Sequence, residues 1–149
     1  KYKNKILFQY VENGGNLIIQ YNTTNNLVTK EIAPYNLELS RDRVTDENAK
    51  VTFLSPSHKV LNQPNKISEK DFTGWVQEQG LYYPNEWSSE FIPILASNDE
   101  GETPKKGGLL VAKHGKGNYI YTGLSFFRLL PQGVSGAYRL LANLIALDK

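Results

Sequence analysis

The sequence predicts an α/β fold with a C-terminal β-hairpin and helix, and three segments indicate it. Residues 1–22 read as an amphipathic helix, a glycine stop and a short apolar strand. Residues 109–124 form two apolar runs around a glycine-rich turn, and residues 133–147 place apolar side chains at helical spacing. A chain of 149 residues with 40% hydrophobic residues can bury one sizeable core. We therefore expect a single domain over residues 1–149.

The opening helix is indicated by an apolar face, made by Ile6, Leu7, Tyr10 and Val11. Gly14-Gly15 then supplies the positive φ angles that end a helix. The run Leu17–Ile19 is typical of a strand buried on both faces of a sheet, and a parallel strand of this kind needs an earlier strand joined by a crossover helix. Because no strand precedes this helix, we expect the chain to be the C-terminal part of a longer protein.

The middle of the chain predicts short strands separated by long loops. The polar loop Asn22–Asn26 follows the first strand, at the end where open α/β sheets bind ligands. Residues 33–39 contain Pro34 and predict an edge segment. Further predictions are strands at residues 51–54 and 91–97, a helical turn within residues 68–79 that stops at Gly80, and a mobile loop at residues 98–108.

The end of the chain predicts a hairpin and a core-facing helix. The turn His114-Gly115-Lys116-Gly117 joins the two hairpin strands. The helix carries its apolar face on Ala137, Leu140, Leu141, Leu144 and Ile145. With earlier strands absent, exposed sheet edges are expected, and such edges predict homo-oligomerisation.

Composition excludes several classes of function. Lys and Arg number 17 against 15 Asp and Glu, and no basic stripe runs along a predicted element, so nucleic-acid binding is not indicated. The absence of cysteine excludes disulfides, thiolate metal sites and a cysteine nucleophile. No apolar stretch reaches the length of a membrane span. We expect no cofactor in this chain and leave its location open; a periplasmic or secreted protein would carry its signal peptide upstream.

A group of aromatic side chains is the first candidate site. It consists of Phe72, Trp75, Tyr82, Tyr83, Trp87 and Phe91. Exposed, the rings would form a platform for a sugar or another flat ligand, with Gln77, Glu78, Asn85 and Glu86 as polar partners. Buried, they would form the core of a loop-rich region. The residues expected to contact ligand are Trp75, Tyr82, Tyr83 and Trp87.

Charged residues supply the other candidates. Arg41-Asp42-Arg43 with Asp46 and Glu47 would serve as an acid/base pair or a cation site, or as a surface ion-pair network. Asp42, Asp46 or Glu47 with His58 is the pattern of an independent hydrolase. Arg128 and Arg139 are candidates for carboxylate or phosphate recognition, or for tying the connecting loop to carbonyls at the end of the sheet. Arg43 is a further candidate ligand contact, with Arg128. Neither His58 nor His114 has metal-ligand spacing, so no metal site is predicted.

Three segments of the chain resemble the class I glutamine amidotransferase-like superfamily. They are residues 10–22 (YVENGGNLIIQYN), the Ser-Pro-Ser-His turn at residues 55–58 and residues 109–124 (LLVAKHGKGNYIYTGL). The resemblance implies part of a flavodoxin-like, three-layer sheet. More narrowly, residues 41–47, 71–81 (DFTGWVQEQGL) and 126–143 resemble the C-terminal region of bacterial proteins with an N-terminal PIG-L/LmbE-type deacetylase domain.

The chain departs from both families at their catalytic residues. It lacks the amidotransferase cysteine, and His58 is followed by Lys59 instead of the deacetylase's Pro-Asp-Asp zinc motif. The resemblance therefore implies a non-catalytic accessory domain. This domain would bind an amino sugar or pack against its own upstream catalytic domain, a zinc-dependent deacetylase of N-acetylglucosamine-type substrates. The alternatives are the independent hydrolase named above and a structural or oligomerisation module.

Overall fold

Helices lie against both faces of a four-stranded mixed sheet. A computed structural model describes residues 2–25, 27 and 31–149. The helices are α1 (Tyr2–Glu12), α2 (Phe126–Leu129) and α3 (Ser135–Ala146), with short 3-10 helices at Lys59–Leu61 and Glu69–Phe72. The strands are β1 (Asn16–Gln20), β2 (Leu37–Val44), β3 (Thr52–Phe53), β4 (Gly80–Trp87), β5 (Phe91–Pro93), β6 (Leu95–Ala96), β7 (Leu109–His114) and β8 (Gly117–Thr122).

The main sheet has the strand order β1-β8-β7-β5. β1 runs parallel to β8, with Ile18 opposite Ile120, whereas β8, β7 and β5 pair antiparallel. Two smaller antiparallel sheets, β2–β4 and β3–β6, lie beside it. The predicted hairpin is confirmed as β7–β8, where Gly115 turns the chain at φ 58°. The last predicted helix is confirmed as α3.

Alternation along β1 divides the core between the two faces of the sheet. Leu17 and Ile19 pack with Val11 of α1 in one apolar cluster. Ile18 packs on the other face, with Leu140 and Leu144 of α3 among its cluster neighbours. Since side chains of a strand point alternately to opposite faces, α1 and α3 must lie on opposite sides of β1. The general prediction of an α/β fold is therefore confirmed.

Two glycines end α1 as the sequence predicts. Gly14 has φ 109°, and its N–H donates to the Val11 carbonyl at 2.9 Å. The Gly15 N–H donates to the Tyr10 carbonyl at 2.9 Å, which completes a Schellman motif. The chain thus reverses directly from α1 into β1. None of the described helices is long and apolar enough to span a membrane.

The parallel partner of β1 is β8, which comes later in the chain, so an earlier strand is not needed to explain the parallel pairing. Leu17, Ile18 and Ile19 are half-buried, and the expectation of an earlier strand remains a prediction. The apolar run reflects the two flanking helices, which each cover one face of the strand. The predicted helix included Lys1 and the predicted polar loop included Asn26; both residues lie outside the described residues.

Two strands in the middle of the chain were not predicted. The charged segment Arg41–Arg43 lies within β2, which pairs with β4 through an irregular register. The aromatic region, predicted as loop-rich, contains β4. The helical turn predicted within residues 68–79 is present at Glu69–Phe72 and does not extend to residues 75–79. β2 does not show a regular alternation of buried and exposed side chains. The register shifts in its pairing with β4 move side chains from one face of the sheet to the other.

We predict that Gly136→Ala lowers the free energy of unfolding by about 1–3 kcal/mol. A β-carbon at Gly136 would lie 1.8 Å from the Asp71 carbonyl oxygen, where α3 packs against a 3-10 helix. Helix propensity alone gives the opposite sign, since alanine favours a helix by about 1 kcal/mol over glycine. Ser135→Ala, at the exposed neighbouring position of α3, is the control. Urea denaturation of both variants measures the difference; equal stability would contradict the close packing.

Candidate functional site

The parallel strands β1 and β8 end at the same edge of the sheet. Tyr21 directly follows β1, and its N–H donates to the Thr122 carbonyl at 2.9 Å. β8 is followed by α2, which carries Phe127 and Arg128. A third segment crosses this edge, since the Leu81 N–H donates to the Gly123 carbonyl at 3.0 Å. Residues distant in sequence therefore meet at the carboxyl ends of two parallel strands.

Tyr21 is the centre of an aromatic cluster at this edge. Its ring centroid lies 5.4 Å from that of Tyr82 and 4.5 Å from that of Phe127, both in edge-to-face orientation. Phe127 remains 47% exposed, although it is a large apolar side chain. Tyr21 and Phe127 line an open cavity of about 370 Å³ together with Gln20 and Leu130. The cluster thus presents an aromatic surface to solvent.

Polar groups hold the cluster in place. Glu78 Oε1 accepts a hydrogen bond from the Tyr21 hydroxyl at 2.7 Å and from Arg128 Nε at 3.3 Å. Arg128 Nη1 donates to Gln77 Oε1, and the guanidinium carbon lies 4.9 Å from the Phe127 ring centroid, within cation–π range. One carboxylate therefore fixes a tyrosine and an arginine relative to each other.

Tyr21 is protonated throughout the physiological pH range. Burial, then the hydrogen bond to Glu78 and its negative charge, raise the pKa of Tyr21 to about 12. The positive charge of Arg128 opposes this shift without cancelling it. A neutral phenol is needed to donate the hydrogen bond to the carboxylate, so the raised pKa and the observed geometry agree.

Backbone strain is concentrated at the same place. Among the described residues, four that are not glycine have positive φ angles, and three of them are Tyr21 (54°), Gln77 (68°) and Tyr82 (60°). A left-handed conformation costs such a residue about 1–2 kcal/mol. Strain of this kind persists only where the surrounding contacts enforce it, and it is concentrated at functional sites. The clustering marks this sheet edge as the candidate site.

The structure unites some of the predicted site residues. Tyr82 and Arg128 are joined through Tyr21 and Glu78, and the predicted polar partner Gln77 contacts Arg128. Sequence analysis missed Tyr21 and Phe127 as site residues. Their positions in the sequence could have identified them, because Tyr21 directly precedes the polar loop after β1 and Phe127 is next to the candidate Arg128.

Trp75 and Tyr83 are wrong as contact residues, because both are buried. Trp75 is 3% exposed, packs against Phe72 at 5.1 Å between ring centroids and donates from Nε1 to the Asp71 carbonyl. Tyr83 is 1% exposed, and burial raises the pKa of its phenol. Their large rings supply core area that the few aliphatic residues of this region cannot provide. The buried interpretation therefore holds for these two.

Trp87 and Arg43 lie away from the aromatic cluster. Trp87 is half-buried at the far end of β4, packs against the α1 side of the core and is roughly 17 Å along the strand from Tyr82 at about 3.3 Å per residue. Arg43 is exposed on β2, and its positive charge acts on Asp99. Neither residue contributes to the surface formed by Tyr21 and Phe127.

Asp46 and His58, two residues of the hydrolase hypothesis, have separate partners. The Asp46 N–H donates to Asp99 Oδ1 at 2.8 Å. Partial burial alone would raise the pKa of Asp99, but its hydrogen bonds from the 45–46 segment lower it. His58 Nδ1 accepts from the Val60 N–H at 3.2 Å, and burial lowers the pKa of this imidazole. The charges acting on His58 belong to Asp148, Lys113 and Lys59. Within the described residues, no group of three or more His, Asp or Glu side chains is placed to hold a metal ion.

Comparison with known proteins identifies the fold but no family. No protein-family model and no curated protein matches this chain. It is similar to the solved structure of cytoplasmic protein STM3548 from Salmonella typhimurium, with a TM-score of 0.59 and 18% identity over 95% of this chain and 58% of that chain. Cytoplasmic protein STM1381 from Salmonella typhimurium LT2 gives a TM-score of 0.58 and 15% identity, over 99% and 60% respectively. This chain thus spans about three-fifths of the length of either structure.

Gln77→Gly is predicted to have a free energy of unfolding about 0.5 kcal/mol higher than that of Gln77→Ala. Both variants lose the hydrogen bond from Arg128 to Gln77 Oε1, so the comparison isolates the backbone. Glycine removes the left-handed strain of roughly 1–2 kcal/mol, which exceeds the roughly 0.5–1 kcal/mol of chain entropy that glycine adds to the unfolded state. The matched control pair is Gln132→Gly and Gln132→Ala, at an exposed position without positive φ, where alanine should be the more stable variant. Thermal and urea unfolding compare the four variants, and a Gln77→Ala variant at least as stable as Gln77→Gly would show that Gln77 carries no strain.

Proposed function

We propose that this chain is a non-catalytic domain that binds carbohydrate at the carboxyl end of β1. The proposal is carried by the exposed ring of Phe127, which lines an open cavity with Tyr21 and has the Arg128–Glu78 pair beside it. The contact surface differs from the one first predicted, since Trp75 and Tyr83 are buried. Tyr82 and Arg128 remain part of it.

The chemistry of the surface suits a sugar ring. One face of a pyranose consists of C–H groups, which pack on an aromatic face, while its hydroxyls need donors and acceptors at the rim. Phe127 supplies the face, and Glu78, Gln77 and Arg128 supply charged and amide groups beside it. Because Glu78 holds both Tyr21 and Arg128, the rim is ordered before a ligand arrives, which reduces the entropy lost on binding.

The finer assignment rests on sequence resemblance. We propose that the domain is part of a flavodoxin-like, class I glutamine amidotransferase-like fold, attached to an upstream zinc-dependent LmbE/PIG-L-type deacetylase. The mixed sheet between α1 and α3 is compatible with such a fold. In that arrangement the upstream domain would perform the deacetylation, and this domain would hold the amino-sugar substrate or a neighbouring part of the same polymer.

Titration of the labelled protein with N-acetylglucosamine, glucosamine and glucose, followed by NMR chemical shifts, tests the proposal. We expect shifts centred on Tyr21, Tyr82 and Phe127, saturating at millimolar ligand. Phe127→Ala should weaken binding roughly 3- to 10-fold, since loss of an aromatic contact costs about 0.5–1.5 kcal/mol.

The control for this titration is Ile92→Ala. Ile92 is 43% exposed, close to the 47% of Phe127, but it lies on β5 at the opposite edge of the sheet. This variant should bind as the unmodified chain does. Unchanged spectra with all three sugars, or equal losses in the two variants, would overturn carbohydrate binding at this surface.

A further inference from the structure

His58 caps the first 3-10 helix with its imidazole ring. Its backbone is extended (φ −64°, ψ 140°), and Nδ1 accepts a hydrogen bond from the Val60 N–H at 3.2 Å. Asparagine, aspartate, serine and threonine usually occupy such a position, because their side chains accept the backbone N–H groups that the start of a helix leaves without partners. A histidine can do the same only through a ring nitrogen that carries no proton.

The capped segment, residues 55–62, packs against α3. Val60 and Leu61 are buried in the apolar cluster that α3 also enters. Asn143 of α3 is itself buried and donates from Nδ2 to the Val60 carbonyl at 2.8 Å. The Leu61 N–H donates to the His58 carbonyl at 3.0 Å, so side chain and backbone of His58 both hold the start of this helix. Loss of the cap therefore loosens the contact between residues 55–62 and α3.

Three charged side chains act on this imidazole, each from a different element. Lys59 belongs to the same 3-10 helix, Lys113 to β7, and Asp148 follows α3. Asp148 Oδ1 lies 2.6 Å from Lys59 Nζ, and its Oδ2 lies 2.5 Å from Lys113 Nζ. The hydrogen bonds from Lys113 and Lys59 hold the pKa of Asp148 well below its ordinary range, so this carboxylate is ionised wherever histidine titrates. A protonated His58 is therefore the third cation around one carboxylate.

We propose that His58 is a pH-sensitive latch, which holds residues 55–62 against α3 while its imidazole is neutral and loosens them when Nδ1 is protonated. A protonated Nδ1 is a donor, and it would face the Val60 N–H, which is also a donor. The same proton adds a positive charge that Asp148 attracts and that Lys59 and Lys113 repel. The proposal is independent of carbohydrate binding.

Mild acid should destabilise the fold through this latch. Burial is the main cause that lowers the pKa of His58 below its ordinary value of 6.5; the charge of Asp148 opposes the shift, and those of Lys113 and Lys59 add to it. The folded state therefore binds a proton at His58 less readily than the unfolded chain does. The stability contributed by the neutral ring is complete above about pH 6.5 and is lost as the pH falls below that value.

Urea unfolding of the full chain at about pH 7.5 and at about pH 5 tests the latch. Between these two conditions, the folding equilibrium constant of the unmodified chain should fall at least about threefold more than that of His58→Asn. The difference cannot exceed roughly 30-fold, which is the ratio of protonated to neutral histidine in the unfolded chain at the lower pH. Asparagine suits the comparison because it is a preferred capping residue and does not titrate.

The matched control is His114→Asn, the same substitution at the other histidine of the chain. His114 Nδ1 lies 3.3 Å from the Tyr35 hydroxyl and caps no helix, so this variant should keep the pH dependence of the unmodified chain. Equal pH dependence in the unmodified chain and in His58→Asn would overturn the proposal. Its loss in His114→Asn would do the same, because the titrating group would then be the other histidine.

NMR of the unmodified chain locates the effect, and it decides the proposal even if His58→Asn does not fold. The imidazole should be unprotonated at Nδ1 at neutral pH, and its titration midpoint should lie below 6.5. The Val60 amide donates to that nitrogen, so its protection from hydrogen exchange, relative to an unfolded peptide at the same pH, should be lost with the same midpoint. A midpoint at or above 6.5, or Val60 protection that does not change with it, would contradict the latch.

Discussion

Parallel pairing between β1 and β8 is the constraint on which the rest of this structure depends. It joins the beginning of the chain to its last strand, with Asn16 opposite Asn118 and Gln20 opposite Thr122. Because the two strands run in the same direction, Tyr21 and the start of α2 emerge at one edge of the sheet. The pairing also leaves the other side of β1 without a strand among the described residues. The candidate ligand site therefore has its structural origin in this pairing.

Glycines at the ends of β4 and β8 let the third segment of the site approach this edge. A β-carbon at Gly80 would lie 2.2 Å from the Gly123 carbonyl oxygen, and one at Gly123 would lie 2.5 Å from the Tyr83 ring. Because neither glycine has a side chain, the buried Tyr83 ring packs directly against the backbone at Gly80 and Gly123. Tyr82, its neighbour, is forced to φ 60° and turns towards Tyr21. Strain at the site follows from close packing directly beneath it.

Local patterns in the sequence were sufficient for the elements that are stabilised locally. The Gly14-Gly15 stop, the β7–β8 hairpin and α3 all depend on short-range periodicity or turn chemistry, and all were predicted. β2 and β4 were not, because their irregular register with each other replaces simple alternation. The site residues likewise fall into those that a local pattern could identify and those that it could not. Arg128 and Tyr82 have recognisable side-chain chemistry, whereas Tyr21 acquires its role from a pairing partner about 100 residues away, which no local window contains.

Burial, rather than residue type, decides which aromatic residues can bind ligand. Trp75 and Tyr83 have rings that would suit a ligand equally well, but both are buried in the core, where Trp75 packs against Phe72. Phe127 stays outside, since α2 is a single turn and Phe126 occupies its buried side. Arg128 then covers one side of the Phe127 ring, and Glu78 fixes Arg128. An isolated exposed phenylalanine would carry no functional meaning. A phenylalanine braced by an ion pair, beside two strained tyrosines, is a side chain that the fold holds at the surface at a cost in stability.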